Sequence, residues 1–550
     1  MDEANVRRRV LGNGNIPNRE QDHDIPPIQR QLDQQRLKKK ALQLKAEMLE
    51  QFDNQLQDLV DSLMQEVDAT LNPDKHFDSP LPGKKKDDSK QQAPSTKNNG
   101  MREKQFFPRR SVLTELLEIS HIQTIYHIFV AILIVFSVNT IIYDLIDKGR
   151  PGLDFDLIIW SFGKFPIVMT MWSCMILSTL LCVYPVFYYW ANNRTPGRAT
   201  WVDYCWLGVY LAYQLAFLIL PIQFLHKYSL RPASSVIIVT EQVRLLMKSH
   251  AFVRENIPHA LRHRKSDGED EEEKGPCPDF SKYLYFLFVP TLVYRDDYPR
   301  TPTVSWKYVV SNFTQVVACL FYIFYIFERF CVPVFCNFRE EHITTKRILL
   351  SVFGSILPAT LVLFIAFFAI LHSWFNAFAE MLRFGDRLFY KDWWNSSSFA
   401  NYYRTWNMVV HDWLYSYVYN DFYKAFGKPC RPLAMGFVFL LSAIFHEYIL
   451  TVSFGFFYPV LFVMFAGAGF MFSFVKNKDS PRSGNIFMWV GLFLGNGMLM
   501  CAYSMEWYAR QTCPPRQDPF LDYIIPRSWT CDFAAISQNT TDVADSLLLT

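Results

Sequence analysis

The chain has 550 residues, of which half are hydrophobic, 17% are aromatic and only 19% are charged, with a formal net charge of +3. Soluble globular chains usually carry about 25% charged residues, so this composition favours a membrane protein and argues against a soluble one. Residues 1–105 are polar and almost all long apolar runs follow Ile122, so we expect an internal apolar segment to direct membrane insertion.

The N-terminal region contains a predicted amphipathic helix at about residues 36–71. Its apolar positions are spaced by 7, 3, 4, 3 and 4 residues: Leu42, Leu49, Phe52, Leu56, Leu59 and Leu63. This heptad seam predicts homo-oligomerisation, as a dimer or tetramer, because a lone helix in a solvated tail cannot bury such a stripe. A helix lying on the membrane surface is the alternative. The segment 72–105 has the composition of a flexible linker and completes a predicted cytosolic region, 1–105.

Membrane spans are the dominant predicted elements after residue 105. A hydrocarbon core about 30 Å thick requires roughly 20 apolar residues in a helix. Eight runs approach this length: Ile122–Tyr143, Phe165–Trp190, Val202–Phe224, Tyr308–Phe327, Ile348–Phe375, Leu433–Ser453, Phe456–Val475 and Ile486–Cys501. The aromatic stretch Phe399–Tyr423 is more polar and is the candidate for a ninth span. Between the third and fourth runs, Ser235–Asn256 is amphipathic and is predicted to be interfacial.

The two ends of the chain favour an odd number of crossings. Lys and Arg are dense before the first run, which predicts a cytosolic N-terminus by the positive-inside rule. The tail carries Cys513, Cys531 and the acceptor sequon at Asn539, which suit an oxidising lumen. We therefore predict an all-α, polytopic protein with about nine transmembrane helices in 106–533 and a lumenal tail, 534–550.

A disulfide between Cys513 and Cys531 is expected, because the enclosed segment is rich in prolines and aromatics and is predicted to be ordered. Closing this loop should contribute about 3 kcal/mol to its local stability. Two free thiols are the alternative.

Several polar and ionisable residues lie within or beside apolar segments between Ala377 and Tyr448. His446 lies in the middle of an apolar run, with Ser442 one helical turn before it. An ionisable residue at such a position usually faces a cavity or a partner, so His446 is a functional candidate. Three further polar residues have spacings of 3 and 4, which would place them on one face of a helix: Arg404, Asn407 and His411.

Each of these features also has a structural explanation. His446 could be a neutral core histidine, Asn407 could hold helices together, and the aromatic cluster Tyr390–Trp394 could be an interfacial belt. The pair His259 and His263 has the i, i+4 spacing of metal ligands, but no third ligand accompanies it, and we expect no metal.

Three motifs resemble the membrane-bound O-acyltransferase family, and within it the sterol O-acyltransferases. They are FYKDWWN (389–395), NYYRTWN ending at Asn407, and HEY (446–448) inside an apolar helix. The residues of the first motif that carry the resemblance are Phe389, Tyr390, Asp392, Trp393, Trp394 and Asn395. The similarity extends from about Phe106 to Cys531. Asp392 is typical of the sterol branch, whereas the diacylglycerol acyltransferases usually have Glu there.

The resemblance implies nine spans, an endoplasmic reticulum membrane, and transfer of a fatty acyl group from acyl-CoA to the 3β-hydroxyl of cholesterol or a related sterol. A weakly nucleophilic hydroxyl needs a base, for which His446 is the candidate. Asn407 is the candidate amide donor to the thioester carbonyl. The resemblance also suggests a sterol contact at His121 and a set of acyl-CoA contacts: Asn401, Arg404, Asn407, His411, Tyr419, Arg431 and Ser442.

No cofactor is expected, because acyl-CoA is a co-substrate and direct transfer needs no covalent enzyme intermediate. Membrane lipid is the other expected partner, and no nucleic acid is expected. A diacylglycerol O-acyltransferase is the alternative enzyme, and a transporter or channel is the alternative from another class. Against a transporter stands the grouping of the polar residues in one region, without a paired pattern of broken helices.

Overall fold

The computed structural model describes residues 103–149, 155–194, 200–262, 275–336, 344–475 and 481–530. These residues all belong to the unit Asn99–Thr550. The predicted N-terminal helix, the linker up to residue 102, His263, Cys531 and the sequon at Asn539 lie outside the described residues, so the predictions made for them remain predictions.

Long apolar helices dominate the described residues, and the predicted all-α, polytopic fold is confirmed. Within these ranges, seven helical segments are long and apolar enough to cross a membrane: Ser120–Asp147, Asp156–Asn193, Trp201–Tyr228, Trp306–Phe335, Thr345–Met381, Arg431–Phe454 and Arg482–Thr512. The predicted span Phe456–Val475 contains a shorter apolar helix, Val460–Phe472. The count of nine therefore remains a prediction.

The remaining structure consists of shorter elements and of breaks inside the long helices. Three of the seven long segments contain a π-helical stretch, at Thr179–Val183, Phe327–Cys331 and Phe368–Trp374, and the shorter apolar helix contains another, at Val463–Gly469. Helices outside the seven long segments are Val112–Leu116, Pro232–Arg262, Phe280–Phe288, Phe399–Thr405, Met408–Trp413, the π-helical Leu414–Tyr419, Asn420–Phe426 and Pro519–Ile524. Three short 3-10 turns are Trp393–Asn395, Lys428–Cys430 and Arg527–Trp529.

The helix Pro232–Arg262 extends well beyond the amphipathic segment expected from the sequence. Its buried face is partly polar. The Gln242 amide donates to the backbone carbonyls of Phe217 and Leu218 at 2.8 Å, and the Lys248 ammonium donates to the Val289 carbonyl at 2.7 Å. Burial lowers the pKa of Lys248 well below its usual range. These bonds join the helix to two neighbouring segments.

A helical hairpin positions the region of interest. Its first arm, which we call the tyrosine helix, is the continuous helix 408–426 formed by Met408–Trp413, Leu414–Tyr419 and Asn420–Phe426. Gly427, at a φ of 78° that only glycine adopts readily, ends this arm. The second arm is Arg431–Phe454, which we call the His446 helix. The two arms pack along each other, and the rings of Phe422 and Phe437 are stacked at 5.7 Å.

The expectation that Arg404, Asn407 and His411 share one face of a single helix is wrong. The helix Phe399–Thr405 ends before Asn407, and a new helix begins at Met408. Asn407 has an extended backbone (φ −137°, ψ 92°), and its side-chain oxygen accepts a hydrogen bond from the Val410 amide at 3.2 Å. Asparagine is a favoured N-cap residue, so it begins a helix here and does not continue one.

Candidate active site

His446 lies in the second half of its helix and is exposed. Its two ring nitrogens differ in their hydrogen bonding. Nδ1 is 2.7 Å from the backbone carbonyl oxygen of Ser442 and 3.4 Å from the Ser442 hydroxyl. A carbonyl oxygen can only accept, so this contact assigns the proton to Nδ1. Nε2 then carries the lone pair and can accept a proton from another molecule.

The two residues after His446 fix the rotation of its helix. Glu447 is 5% exposed, and its carboxylate accepts hydrogen bonds from the Tyr503 hydroxyl at 3.0 Å and the Phe462 amide at 3.1 Å. The Tyr448 hydroxyl donates to the side-chain oxygen of Gln242 at 2.7 Å. Because these bonds reach three different segments, the helix cannot turn without breaking one of them. His446 is therefore held in one orientation.

Asn407 is held at its helix break by the FYKDWWN segment. The Met408 amide donates to the Phe389 carbonyl at 2.8 Å, and the Lys391 amide donates to the Thr405 carbonyl at 2.9 Å. These two backbone bonds bracket Asn407 on both sides. Its side-chain oxygen is used in the helix cap, which leaves the NH2 group as the end that can donate to a ligand.

The hairpin brings Asn407 and His446 to similar distances from the turn. At a rise of about 1.5 Å per residue, His446 lies about 23 Å beyond Arg431, and His411 lies about 23 Å before Phe426. Asn407 is one turn beyond His411, about 28 Å from Phe426. Since the two arms pack side by side, Asn407 lies within about one helical turn of the level of His446.

One phenylalanine connects their surroundings. The Phe465 ring is stacked on the His446 ring with centroids 5.1 Å apart, and it also lies 5.1 Å from the ring of Tyr403. Tyr403 is four residues before Asn407. No hydrogen bond among the described residues joins His446 to Asn407, so any direct relation between them would be through a bound molecule.

The FYKDWWN residues divide into buried and exposed members. Phe389, Tyr390 and Trp393 are at most 2% exposed, whereas Asp392 and Asn395 are exposed and Trp394 is half-buried. Trp393 packs at 4.7 Å from the Trp406 ring, next to Asn407. The Trp394 carbonyl accepts hydrogen bonds from Asn485 and Trp489. The buried residues therefore support the Asn407 break, in addition to any role as an aromatic belt.

The Tyr390 hydroxyl belongs to a buried polar cluster that the sequence analysis missed. It lies 2.8 Å from Nδ1 of His372 and accepts from the Leu113 amide at 3.3 Å. The Ser111 hydroxyl is 3.2 Å from the same His372 nitrogen and accepts from Asn376 at 3.2 Å. The signal was present in the sequence, because His372 and Asn376 are polar residues one turn apart in an apolar run.

The expected acyl-CoA contacts occupy three segments. Asn407, His411 and Tyr419 lie at the start and on one side of the tyrosine helix, and Ser442 precedes His446 on the other arm. Arg404 and Arg431 are exposed, at the end of the preceding helix and at the start of the His446 helix. The Asn401 amide is 3.0 Å from the Ser396 hydroxyl and so has a structural partner.

His121 lies apart from this group. It is exposed in the first turn of Ser120–Lys148, and no hydrogen bond or ring contact among the described residues joins it to His446 or Asn407. Cys513 is 6% exposed at the end of the last long helix, and its expected partner lies outside the described residues. The sterol contact and the Cys513–Cys531 disulfide therefore remain predictions.

Comparison with known proteins agrees with these motifs. The family model of the membrane-bound O-acyltransferases matches residues 155–505, which include both arms of the hairpin. Sterol O-acyltransferase 1 of Mus musculus is 52% identical over 431 residues, covering 78% of this chain and 79% of the relative. Sterol O-acyltransferase 2 of Homo sapiens is 47% identical over 494 residues, covering 89% and 91%. The chain therefore belongs to the membrane-bound O-acyltransferase family.

Proposed function

We propose that this protein is an acyl-CoA-dependent sterol O-acyltransferase, which transfers a long-chain acyl group to the 3β-hydroxyl of cholesterol or a related sterol. The observation that carries the proposal is the free Nε2 of an accessible His446, on a helix that packs against the helix begun by the amide donor Asn407. The sterol substrate is supported by the names of the two relatives, each of which the chain covers over more than three quarters of its length.

In the proposed mechanism His446 is the general base. The sterol hydroxyl is a weak nucleophile, and its attack is assisted when a positioned base accepts the proton as the new bond forms. Nε2 has the lone pair for this task, while the Nδ1–H bond to the Ser442 carbonyl keeps the ring in the required tautomer. No base other than the ring is needed.

Asn407 has the role of carbonyl stabiliser. As the sterol oxygen bonds to the thioester carbon, negative charge develops on the carbonyl oxygen. An amide N–H fixed in advance stabilises that charge without reorganisation, and removal of one such donor typically costs about 10²–10³ in kcat. The helix cap and the two bracketing backbone bonds supply this fixed position.

The steps balance without a cofactor or a covalent enzyme intermediate. The sterol oxygen bonds to the acyl carbon, and the hydroxyl proton moves to Nε2. The carbon–sulfur bond then breaks, and the imidazolium returns the proton to the leaving thiolate. The products are steryl ester and free CoA, and His446 is neutral again.

The proposal includes the cellular setting. A cytosolic N-terminus, a lumenal C-terminus and an endoplasmic reticulum membrane are supported by the distribution of Lys and Arg and by the lumen-type features of the tail. Homo-oligomerisation is supported by the heptad seam between residues 42 and 63.

Product identification tests the function directly. Microsomes containing the chain receive labelled oleoyl-CoA with cholesterol and, in parallel, with diacylglycerol. We expect labelled cholesteryl ester and no additional triacylglycerol above microsomes that lack the chain. The same assay with His446→Ala gives the background, with immunoblotting to show equal protein. Triacylglycerol in place of cholesteryl ester would overturn the sterol assignment, and cholesteryl ester formation at the normal rate by His446→Ala would overturn the mechanism.

A further inference from the structure

An aromatic ring covers one face of the candidate base. Phe465 and His446 are stacked, with ring centroids 5.1 Å apart and an angle of 21° between the ring planes. Stacking covers the face of the imidazole but leaves its edge free, and the lone pair on Nε2 lies in the ring plane, at that edge. The contact therefore restricts the ring without occupying the nitrogen that would accept a proton.

The hydrogen bond of His446 does not fix the ring by itself. The contact of Nδ1 with the Ser442 carbonyl at 2.7 Å holds a single atom of the imidazole. The torsion that turns a histidine ring has a broad energy well, so the ring could still swing about that bond. The stacked Phe465 ring opposes this movement, because a large rotation would drive the imidazole edge into the phenyl ring. The bond and the stack together define the direction in which Nε2 points.

The position of Phe465 relative to His446 is itself fixed by a hydrogen bond. Phe465 lies in the π-helical stretch Val463–Gly469, and such stretches are frequent at functional sites. Three residues before Phe465, the Phe462 amide donates to the carboxylate of Glu447 at 3.1 Å. Glu447 is the residue next to His446. The two helices are thus joined within one turn of the two stacked rings.

Two further rings hold Phe465 from other sides. The Tyr403 ring lies 5.1 Å from it and the Phe439 ring 5.9 Å from it, and these two residues belong to two different helices. Tyr403 can approach closely because a side chain at Gly469 would clash with its hydroxyl. Phe465 is therefore packed by three helices and cannot move away from the imidazole freely.

We propose that Phe465 is a positioning residue of the transfer reaction, which holds Nε2 of His446 in the direction from which a sterol hydroxyl can reach it. The inference rests on the proposed function. A sterol is a rigid and bulky alcohol, so its hydroxyl can meet Nε2 in few orientations, whereas a water molecule can follow a ring that has rotated. Loss of the stack should therefore slow transfer to sterol more than hydrolysis of the thioester.

The competing hydrolysis balances in the same way as the transfer. A water oxygen bonds to the acyl carbon, one water proton moves to Nε2, the carbon–sulfur bond breaks, and the imidazolium returns the proton to the thiolate. The products are free fatty acid and CoA. The ratio of free fatty acid to steryl ester thus reports the orientation of His446, and a residue that only filled space would not change it.

The phenyl face also suits the charge that develops on the base. When Nε2 accepts the proton, the imidazole becomes a cation, and a cation over an aromatic face is stabilised by the negative face of that ring. An aliphatic side chain fills similar space without this property. Removal of the ring should therefore lower kcat roughly 2- to 30-fold.

Kinetics of the purified full chain with cholesterol and acyl-labelled oleoyl-CoA test this role. We expect Phe465→Leu to lower kcat for cholesteryl oleate roughly 2- to 30-fold, to raise the ratio of free oleate to ester, and to leave the KM for oleoyl-CoA and the Tm nearly unchanged. At least one of the variants that keep a ring, Phe465→Tyr and Phe465→Trp, should restore most of the kcat and the product ratio.

Phe470→Leu is the matched control. Phe470 lies in the same apolar helix and packs on Phe439 at 5.3 Å, but no ring contact among the described residues joins it to His446. It should keep the kcat and the product ratio of the unmutated chain.

Four results would overturn the role of Phe465. They are an unchanged kcat or product ratio in Phe465→Leu, equal changes in Phe470→Leu, failure of both ring variants to restore activity, and a loss of activity that only follows the folded fraction. Failure of the unmutated chain to form cholesteryl oleate would instead overturn the proposed function. The two failures are therefore distinguishable.

Discussion

His372 and His446 both lie in helices apolar and long enough to span a membrane, but their surroundings differ in kind. His372 is 4% exposed, and its Nδ1 is within hydrogen-bond distance of both Tyr390 and Ser111 on other segments. His446 is exposed, and its only hydrogen-bond partner among the described residues is Ser442 on its own helix. The His372 ring joins other segments through hydrogen bonds, whereas the His446 ring stacks on Phe465 and forms no hydrogen bond to another described segment.

This difference separates a structural histidine from a chemical one better than position in the sequence does. A buried ring that bonds to several segments stabilises the fold, because each lost bond leaves a polar group without a partner. A ring that is accessible and has one unused nitrogen can exchange a proton with a bound substrate. Replacement of His372 is thus expected to lower stability, and replacement of His446 is expected to lower activity.

Apart from replacement of His446 itself, the largest effect is expected at Asn407. Asn407→Asp keeps the side-chain oxygen that caps the helix but removes the NH2 donor, so kcat should fall about 10²–10³-fold with little change in Tm. Asn407→Ala should lose the same activity and, in addition, about 1 kcal/mol of helix stability. Kinetics and thermal denaturation of the two purified variants would show this. Full activity of Asn407→Asp would exclude the donor role.

His372→Ala should act mainly through stability. It leaves the Tyr390 hydroxyl with one fewer buried partner, which costs about 1–3 kcal/mol and lowers Tm. Activity should fall with the folded fraction, because Tyr390 belongs to the segment that brackets Asn407. A variant with normal Tm and no activity would contradict the comparison, since His372 would then have a chemical role.

Tyr448→Phe should have a smaller effect. It removes the hydrogen bond to the buried Gln242 side chain, worth about 1 kcal/mol, and loosens one of the contacts that orient His446. We expect a Tm lower by a few degrees and a several-fold loss of kcat. Tyr204→Phe, at an exposed tyrosine of another helix, is the control. Equal behaviour of the two variants would mean that Tyr448 does not orient the histidine.

The smallest effect on catalysis is expected from Asp522, far from both histidines in the chain. Hydrogen bonds from Arg527 lower the pKa of Asp522 to about 2. A lowered pKa in the folded state stabilises the segment above the ordinary pKa near 3.8, and this stabilisation is lost as pH falls towards 2. The protection factors of residues 513–530 in hydrogen exchange, which are corrected for the intrinsic rise of the exchange rate with pH, should therefore be constant between pH 5 and 8.

Asp522→Asn should accelerate that exchange at neutral pH while esterification stays within about twofold, as is usual for a change away from the reacting groups. In the variant, the acid-dependent opening of the segment should disappear. Slow exchange in Asp522→Asn, equal to that of the unmutated chain, would show that the ion pair does not hold this segment.

Much of the fold was accessible from the sequence, because membrane helices must be long and apolar. The apolar runs around Ile122–Tyr143 and Leu433–Ser453 correspond to two of the seven long helices. His446 could also be predicted as a functional residue, because an ionisable side chain in an apolar run usually faces a cavity or a partner. These features depend on the residue itself and on its near neighbours.

The features that the sequence predicted wrongly or did not reveal depend on contacts between residues distant in the sequence. The break at Asn407 follows from backbone bonds to Phe389 and Lys391, which helical spacing cannot reveal. The bonds that orient His446 come from Gln242 and Tyr503, on other helices. His411, Tyr415, Tyr419 and Tyr423 have a four-residue spacing visible in the sequence, but only the structure shows that their rings are nearly parallel.

The central claim is that Nε2 of His446 accepts the sterol proton, and steady-state kinetics of purified His446→Ala beside His372→Ala test it most directly. We expect His446→Ala to lose about 10²–10⁴-fold in kcat with Tm and the KM for acyl-CoA nearly unchanged, while His372→Ala loses Tm. A His446→Ala protein that retains kcat, or that loses activity only as far as it unfolds, would contradict the account.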